Sequence, residues 1–334
     1  MSDEPVNNQL VSDHTSLKPV AQNFFTSINA GAWALIEFLV AVSTAVLSSH
    51  WLRKLAYGNE RSLITGALRI TVVVLLVLFI VHTVVVIMRR RWDTWFSVLA
   101  ILLIYFLSQG IGQLLVSLFL AFRGYSITAA DQLLQNSVTT EFFYVLLAEI
   151  LTVGGVIGYL KLFRVPLSSI GLKKPRWVDL LWGIGSVIPY FVAYAVILSI
   201  VSRLIPSLNV NEKQQLGFND IHGIQALTLT FISLVVLPPI AEEIAVRGLL
   251  YSSLKKSLSF GVALIVTSLI FASAHLPEGG SAGPLYVAFI DTFVLSLFLV
   301  AIRRYSGRLY GGMTLHAIKN GIAFVALYLV HTHS

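Results

Sequence analysis

Glu242, Glu243 and Arg247 fall inside one apolar run, 231-FISLVVLPPIAEEIAVRGLLYS-252. A charge at the centre of a bilayer-spanning helix costs roughly 2.5–3.5 kcal/mol on insertion scales, so each of the three needs a reason to be there. Glu243 and Arg247 stand four residues apart with the acid first, the favourable order for an ion pair along one helix face. That pair reads as structural. Glu242 points about 100° away around the helix and finds no partner in its own turn. Pro238 and Pro239, just upstream, break or kink the helix, which frees backbone carbonyls at that depth and marks a cavity. Two later stretches hold the remaining chemistry. His275 ends 271-FASAHL-276, while His316 and Asn320 share one helix face in 311-GGMTLHAIKNG-321. A carboxylate in an apolar, partly dry cavity is a competent general base near pH 7, and imidazole and amide N–H groups are donors for a developing negative charge.

The elements that must position these groups are membrane helices. Of the 334 residues 56% are apolar and only 12% charged, too few charges to cover the surface of a water-soluble protein of this length. The net charge of +7 does not point to nucleic acid, because Lys and Arg sit in short connectors between apolar runs rather than in a stripe interleaved with aromatics. The absence of cysteine excludes disulfides, thiolate metal sites and a cysteine nucleophile. Spans are expected at roughly 31–52, 67–88, 95–121, 142–163, 178–204, 225–252, 258–275, 285–303 and 311–331, which makes an all-α, polytopic membrane bundle of about 8–9 transmembrane helices.

With the N-terminus inside, fourteen Lys and Arg residues fall in inner segments and six in outer ones (Arg53, Lys54, Arg61, Arg123, Arg203, Lys213). The bias favours N-terminus in and C-terminus out. Residues 1–26 are expected to be a polar inner-face tail without a cleavable signal peptide, 27–164 an N-terminal set of helices, and 165–334 the catalytic core. The junction is 164-RVPLSSIGLKKPRWVD-179. Measured up from the inner edge by helical rise, Glu242 is expected at roughly 15 Å, His275 at 25 Å, His316 at 8 Å and Asn320 at 14 Å. Brought together by tilts and breaks, the four would line one cavity running from the inner leaflet to mid-membrane. Glu37, Glu149 and Asp291 are intramembrane acids without obvious partners, Lys319 either snorkels to the surface or neutralises an acid, and His82, His331 and His333 read as interfacial.

The ordered trio 242-EEIAVR-247, 271-FASAH-275 and 316-HAIKN-320, each on its own span, resembles the EExxxR, FxxxH and HxxxN motifs of the CAAX protease and bacteriocin-processing family, which includes the type II CAAX prenyl endopeptidases. The stretch 168-SSIGLKKPRWVDLLWGIG-185 is similar to that family's lead-in to its core, so the resemblance covers roughly residues 165–330. The run 293-FVLSLFLVAIRR-304 departs from it, since the helix before HxxxN commonly has small glycines in the family.

The resemblance implies an intramembrane endopeptidase acting on a membrane-associated protein or peptide. In that reading Glu242 is the general base, assisted by His275, and His316 with Asn320 form the oxyanion site. Glu243 and Arg247 hold the turn that aims Glu242. Eukaryotic relatives remove the C-terminal tripeptide after a prenylated cysteine, whereas bacterial ones serve peptide maturation or self-immunity. Nothing marks a eukaryotic organelle signal, which points to a prokaryotic plasma membrane. One Glu and two His also suit zinc with an open water position, with Glu242, His275 and His316 as ligands. No HExxH is present, and the family's behaviour favours the metal-free form. Two other classes compete: a non-catalytic immunity or scaffold protein of the same family, and a proton-coupled transporter with these residues as its relay. The lack of an internal repeat weighs against the transporter.

Overall fold

The computed structural model describes residues 30–54, 61–210, 218, 221, 223–277 and 284–330, with the side chains at 46–54 and 61–69 left aside. The expected tail 1–26, His331 and His333, the side chains of Arg53, Lys54 and Arg61, Lys213, and most of the 277–284 loop lie outside the described residues.

The described residues form helices and no strand. In chain order they are α1 (Ala30–Lys54), α2 (Arg61–Arg89), α3 (Thr94–Phe122), α4 (Ile127–Asn136) and α5 (Val138–Leu162). A 3₁₀ turn at Leu167–Ile170 leads to α6 (Trp177–Leu204), α7 (Gly223–Leu254), α8 (Phe260–Ser273), α9 (Tyr286–Ser306) and α10 (Tyr310–Val330). Each of the nine expected spans coincides with one of them. Seven are long and apolar enough to cross a membrane; the apolar part of α1, Ala30–Ala45, and α8 are shorter. The chain is a multi-pass helical membrane protein. Its α2, with Ile70, Val73 and Ile80 exposed, turns an apolar face outward, as lipid contact requires.

Helix ends follow local chemistry. Asp93 caps α3 by accepting the Phe96 N–H at 2.8 Å, and the Asp179 carboxylate accepts the Arg176 N–H at 2.9 Å at the head of α6. The break in α6 at Ser186 precedes Pro189, which cannot donate to the carbonyl of Gly185. The short α4 has no counterpart among the expected spans; it packs Ala130 against Val116 and Leu120 of α3.

The connectors with most of the basic residues meet at one end of the bundle. Lys256 Nζ donates to Trp92 O at 3.3 Å, Arg308 Nε to Lys174 O at 3.2 Å, and Tyr310 OH to Lys173 O at 2.7 Å. Burial, and then Arg303, Arg304 and Lys173, push the Lys255 ammonium below its ordinary range. Arg303 is itself buried, folded over Gly171, and donates to Ser252 Oγ at 3.3 Å. A Cβ on Gly171 would sit 2.6 Å from the Arg303 Cζ, and its φ of +91° is left-handed, so this position asks for glycine twice over. Ile170, fully buried beside it, packs on Gly248 of α7. The lead-in loop thus wedges the end of α7 against α9.

Candidate active site

The site is built on an irregular α7. Pro238 has no N–H for the carbonyl of Leu234, four residues back, and the chain answers with a π-helical stretch at Ile232–Val236, where the Leu237 N–H reaches Ile232 O. A second π stretch, Glu243–Leu250, carries most of the EExxxR motif. Such widened turns occur where a side chain must be re-aimed, frequently at functional sites.

Asn320 of α10 takes up the carbonyl that the proline frees: its Nδ2 donates to Leu234 O at 2.9 Å. The same helix presents His316, which is buried between two carboxylates. Its Nε2 lies 3.7 Å from Glu242 Oε2 and its Nδ1 3.6 Å from Glu243 Oε1. These exceed a formed hydrogen bond by a few tenths of an ångström, a separation that catalytic contacts close when substrate binds. Glu243 Oε1 also accepts from Arg247 Nη1 at 2.9 Å, and both side chains are fully buried. The pair expected from spacing is therefore present, and it carries a further contact, to His316, that spacing did not indicate.

Phe271 of the FxxxH motif joins these groups. The Arg247 guanidinium stands 4.2 Å from its ring centroid, and its ring meets the imidazoles of His275 and His316 edge-on at 4.9 and 6.1 Å. His275 Nδ1 is 3.0 Å from Phe271 O. A carbonyl only accepts, so Nδ1 carries the proton and Nε2 keeps its lone pair.

Glu242, His275, His316 and Asn320 all line one cavity of about 180 Å³. The structure brings the four together although their expected heights were far apart. The extent of the cavity corrects the expectation. It does not run from the basic end to the middle. It runs from the level of His316 to Ala288, near the start of α9, and Tyr328, near the end of α10. A second, larger cavity of about 700 Å³ has Arg176 and Tyr310 of the basic end, and Pro239 and Ala317 beside the motif residues, in its lining.

Two further cavity residues were not among the expected site. Lys319 Nζ pairs with Asp291 Oδ2 at 2.8 Å, and Tyr190 OH donates to the other Asp291 oxygen. Asp291, without an obvious partner in the sequence, ties α6, α9 and α10 together. Glu37 likewise has a partner, His82 Nδ1 at 2.9 Å, so His82 joins α1 to α2 rather than standing alone at an interface. Among the described residues no three His, Asp or Glu side chains stand close enough to hold a metal ion. The bond from His275 Nδ1 to Phe271 O leaves Nε2 as the nitrogen that could act as a base or as a ligand.

Residues 224–322 match the family model of the Rce1-like type II CAAX prenyl endopeptidases. The Rce1-like segment starts at the head of α7 and ends two residues past Asn320, so it includes all six residues singled out from the sequence. No curated protein and no solved structure matched the chain. At the level of the family, the Rce1-like match supports a membrane-protease-type activity, which fits a carboxylate and two imidazoles around one intramembrane cavity.

Proposed function

We propose that the chain is an intramembrane endopeptidase that hydrolyses a peptide bond of a membrane-associated protein or peptide with water activated by Glu242. The observation that carries this reading is the shared cavity, with the Glu242 carboxylate 3.7 Å from an imidazole that a second carboxylate orients from behind. A base aligned by an acid on its far nitrogen is the arrangement that hydrolytic triads use.

Glu242 takes one proton from a water whose other hydrogen points to the lone pair on His275 Nε2. The hydroxide oxygen adds to the carbonyl carbon of the scissile bond, and the carbonyl oxygen becomes an oxyanion. The second Nδ2–H of Asn320, the one not given to Leu234 O, is a donor for that charge. The proton on Glu242 passes to His316 Nε2, which donates to the oxyanion and then delivers the proton to the leaving nitrogen. The C–N bond breaks, and a carboxylic acid and an amine leave. Glu243, held by Arg247, keeps His316 Nδ1 protonated so that Nε2 is the nitrogen that exchanges. No step calls for a metal ion. Prokaryotic plasma membrane is the compartment this reading favours.

The test is comparative peptidomics of cells carrying the natural chain or Glu242→Gln. Peptides that depend on the natural chain should vanish with the variant, while the variant inserts and purifies normally. A full biological effect with Glu242→Gln would sink the enzyme in favour of a binding or immunity role. Cleavage by the purified protein should also survive chelation; loss on chelation with restoration by zinc would overturn the metal-free form.

A further inference from the structure

Among the described residues that line the motif cavity, Lys319 is the only Lys or Arg. Arg247 is fully buried, paired with Glu243, and does not belong to that lining. The steps of hydrolysis leave Lys319 and its partner Asp291 without a part. Stability alone does not call for the pair, since an ion pair taken out of water can often be exchanged for apolar residues at little cost. An ionisable side chain at membrane depth marks function by default.

Its position suits chemistry. His316, Lys319, Asn320 and Ala323 follow helical spacing along α10, and all four line the cavity. The ammonium thus stands on the same face as the imidazole and the carboxamide of 316-HAIKN-320. Its Nζ is held at 2.8 Å by Asp291 Oδ2, and Asp291 is held in turn by the Tyr190 hydroxyl. Tyr190 has no exposure and belongs to a packed cluster with Leu295, Leu299 and Leu315. A cation fixed through three helices is in place before any charge develops, which is what electrostatic catalysis requires. An ammonium has three N–H groups, and Asp291 Oδ2 takes one, so two remain for a group bound in the cavity.

We propose that Lys319 is a further catalytic residue, whose ammonium donates to the oxyanion beside Asn320, and that Asp291 and Tyr190 position it. This rests on the peptidase reading. In the addition step a proton goes from water to Glu242, and the negative charge moves from that carboxylate to the former carbonyl oxygen. An ammonium next to the new oxyanion favours that movement, because it binds the transition state more strongly than the ground state. Away from bulk water such an attraction counts for more than it does at a surface. Lys319 keeps its three protons throughout, so the transfers among water, Glu242, His316 and the leaving nitrogen balance as before.

The probe is a fluorogenic peptide that spans a cleavage site found in the Glu242→Gln comparison, turned over by the purified full-length chain in detergent. Lys319→Met should lower kcat by on the order of 100-fold to 1,000-fold with little change in KM, as loss of one oxyanion donor does. Lys319→Arg keeps the charge and should retain far more of kcat. The deciding variant combines Lys319→Met with Asp291→Asn, which strands no charge and leaves the Tyr190 hydroxyl an acceptor. It should regain the thermal stability lost in Lys319→Met without regaining the rate. Cleavage at the natural rate by that double variant would overturn the proposal, because Lys319 would then only neutralise Asp291. So would a Lys319→Met defect confined to KM, or a Lys319→Arg as slow as Lys319→Met. The two readings fail in different ways: no Glu242-dependent peptide ends the peptidase, whereas Glu242-dependent cleavage that persists without Lys319 ends this role alone.

Discussion

Asn320 Nδ2 donates to the carbonyl oxygen of Leu234 at 2.9 Å, and Leu234 has that oxygen to offer because Pro238 cannot bond it. A motif residue with an expected role at the oxyanion thus also repairs the helix opposite. Asn320→Leu should leave a half-buried carbonyl without a donor and lower stability by about 1–3 kcal/mol. Pro238→Ala in the Asn320→Leu background should recover much of that loss, because the alanine N–H serves the same carbonyl. Thermal unfolding in detergent reads both. Activity should remain lost in the double variant if the second Asn320 N–H serves the oxyanion.

The Glu243–Arg247 pair sits at zero exposure, where removing one partner strands a charge. Arg247→Met alone should destabilise by roughly 3–5 kcal/mol. Combined with Glu243→Gln, it should cost much less, since the stranded carboxylate is gone. Cleavage should stay impaired in that double variant, because His316 Nδ1 has then lost its carboxylate. Restored cleavage would show that Glu243 acts on the helix alone.

A Cβ on Gly312 would stand 2.6 Å from Glu243 Oε2, whereas one on Gly321, in the same helix, would meet only Val235 Cγ1 at 3.6 Å. Gly312→Ala is therefore expected to push the Glu243 carboxylate from His316, at a cost of about 1–3 kcal/mol in stability and with a drop in cleavage. Gly321→Ala should be neutral or stabilise by up to about 1 kcal/mol, as helical alanine does over glycine. Parallel unfolding curves and peptide release by the two purified variants check the contrast.

Lys319 and Asp291 are partly exposed to the cavity, so their pair is worth less than a dry one. Lys319→Met should cost about 1–2 kcal/mol, because Asp291 keeps the Tyr190 hydroxyl. Tyr190→Phe combined with Lys319→Met leaves Asp291 with neither donor and should cost more than the two single changes added together. A double-mutant cycle on unfolding free energies measures that excess.

Much of this protein was legible in its sequence because the bilayer imposes strict rules. A segment that spans hydrocarbon must be apolar over about 20 residues, so the seven long helices could be located, with two shorter apolar ones beside them, and basic connectors reported which ends share a face. Acid and guanidinium four apart on one helix could hardly do anything but pair, and 316-HAIKN-320 had to show both polar groups on one side. The family resemblance rested on the same three motifs, and the Rce1-like match at 224–322 spans them. What one-dimensional spacing does not contain is depth and direction across helices. Helical rise spread Glu242, His275, His316 and Asn320 over some 17 Å because it takes every helix as straight and upright, with no account of breaks or tilt. Only packing showed that His275 at the end of α8 shares a cavity with Glu242, that Phe271 lies between Arg247 and two imidazoles, and that Asp291 of α9 finds Lys319 of α10. Such contacts join residues far apart in sequence, and local rules carry no information about which helices become neighbours.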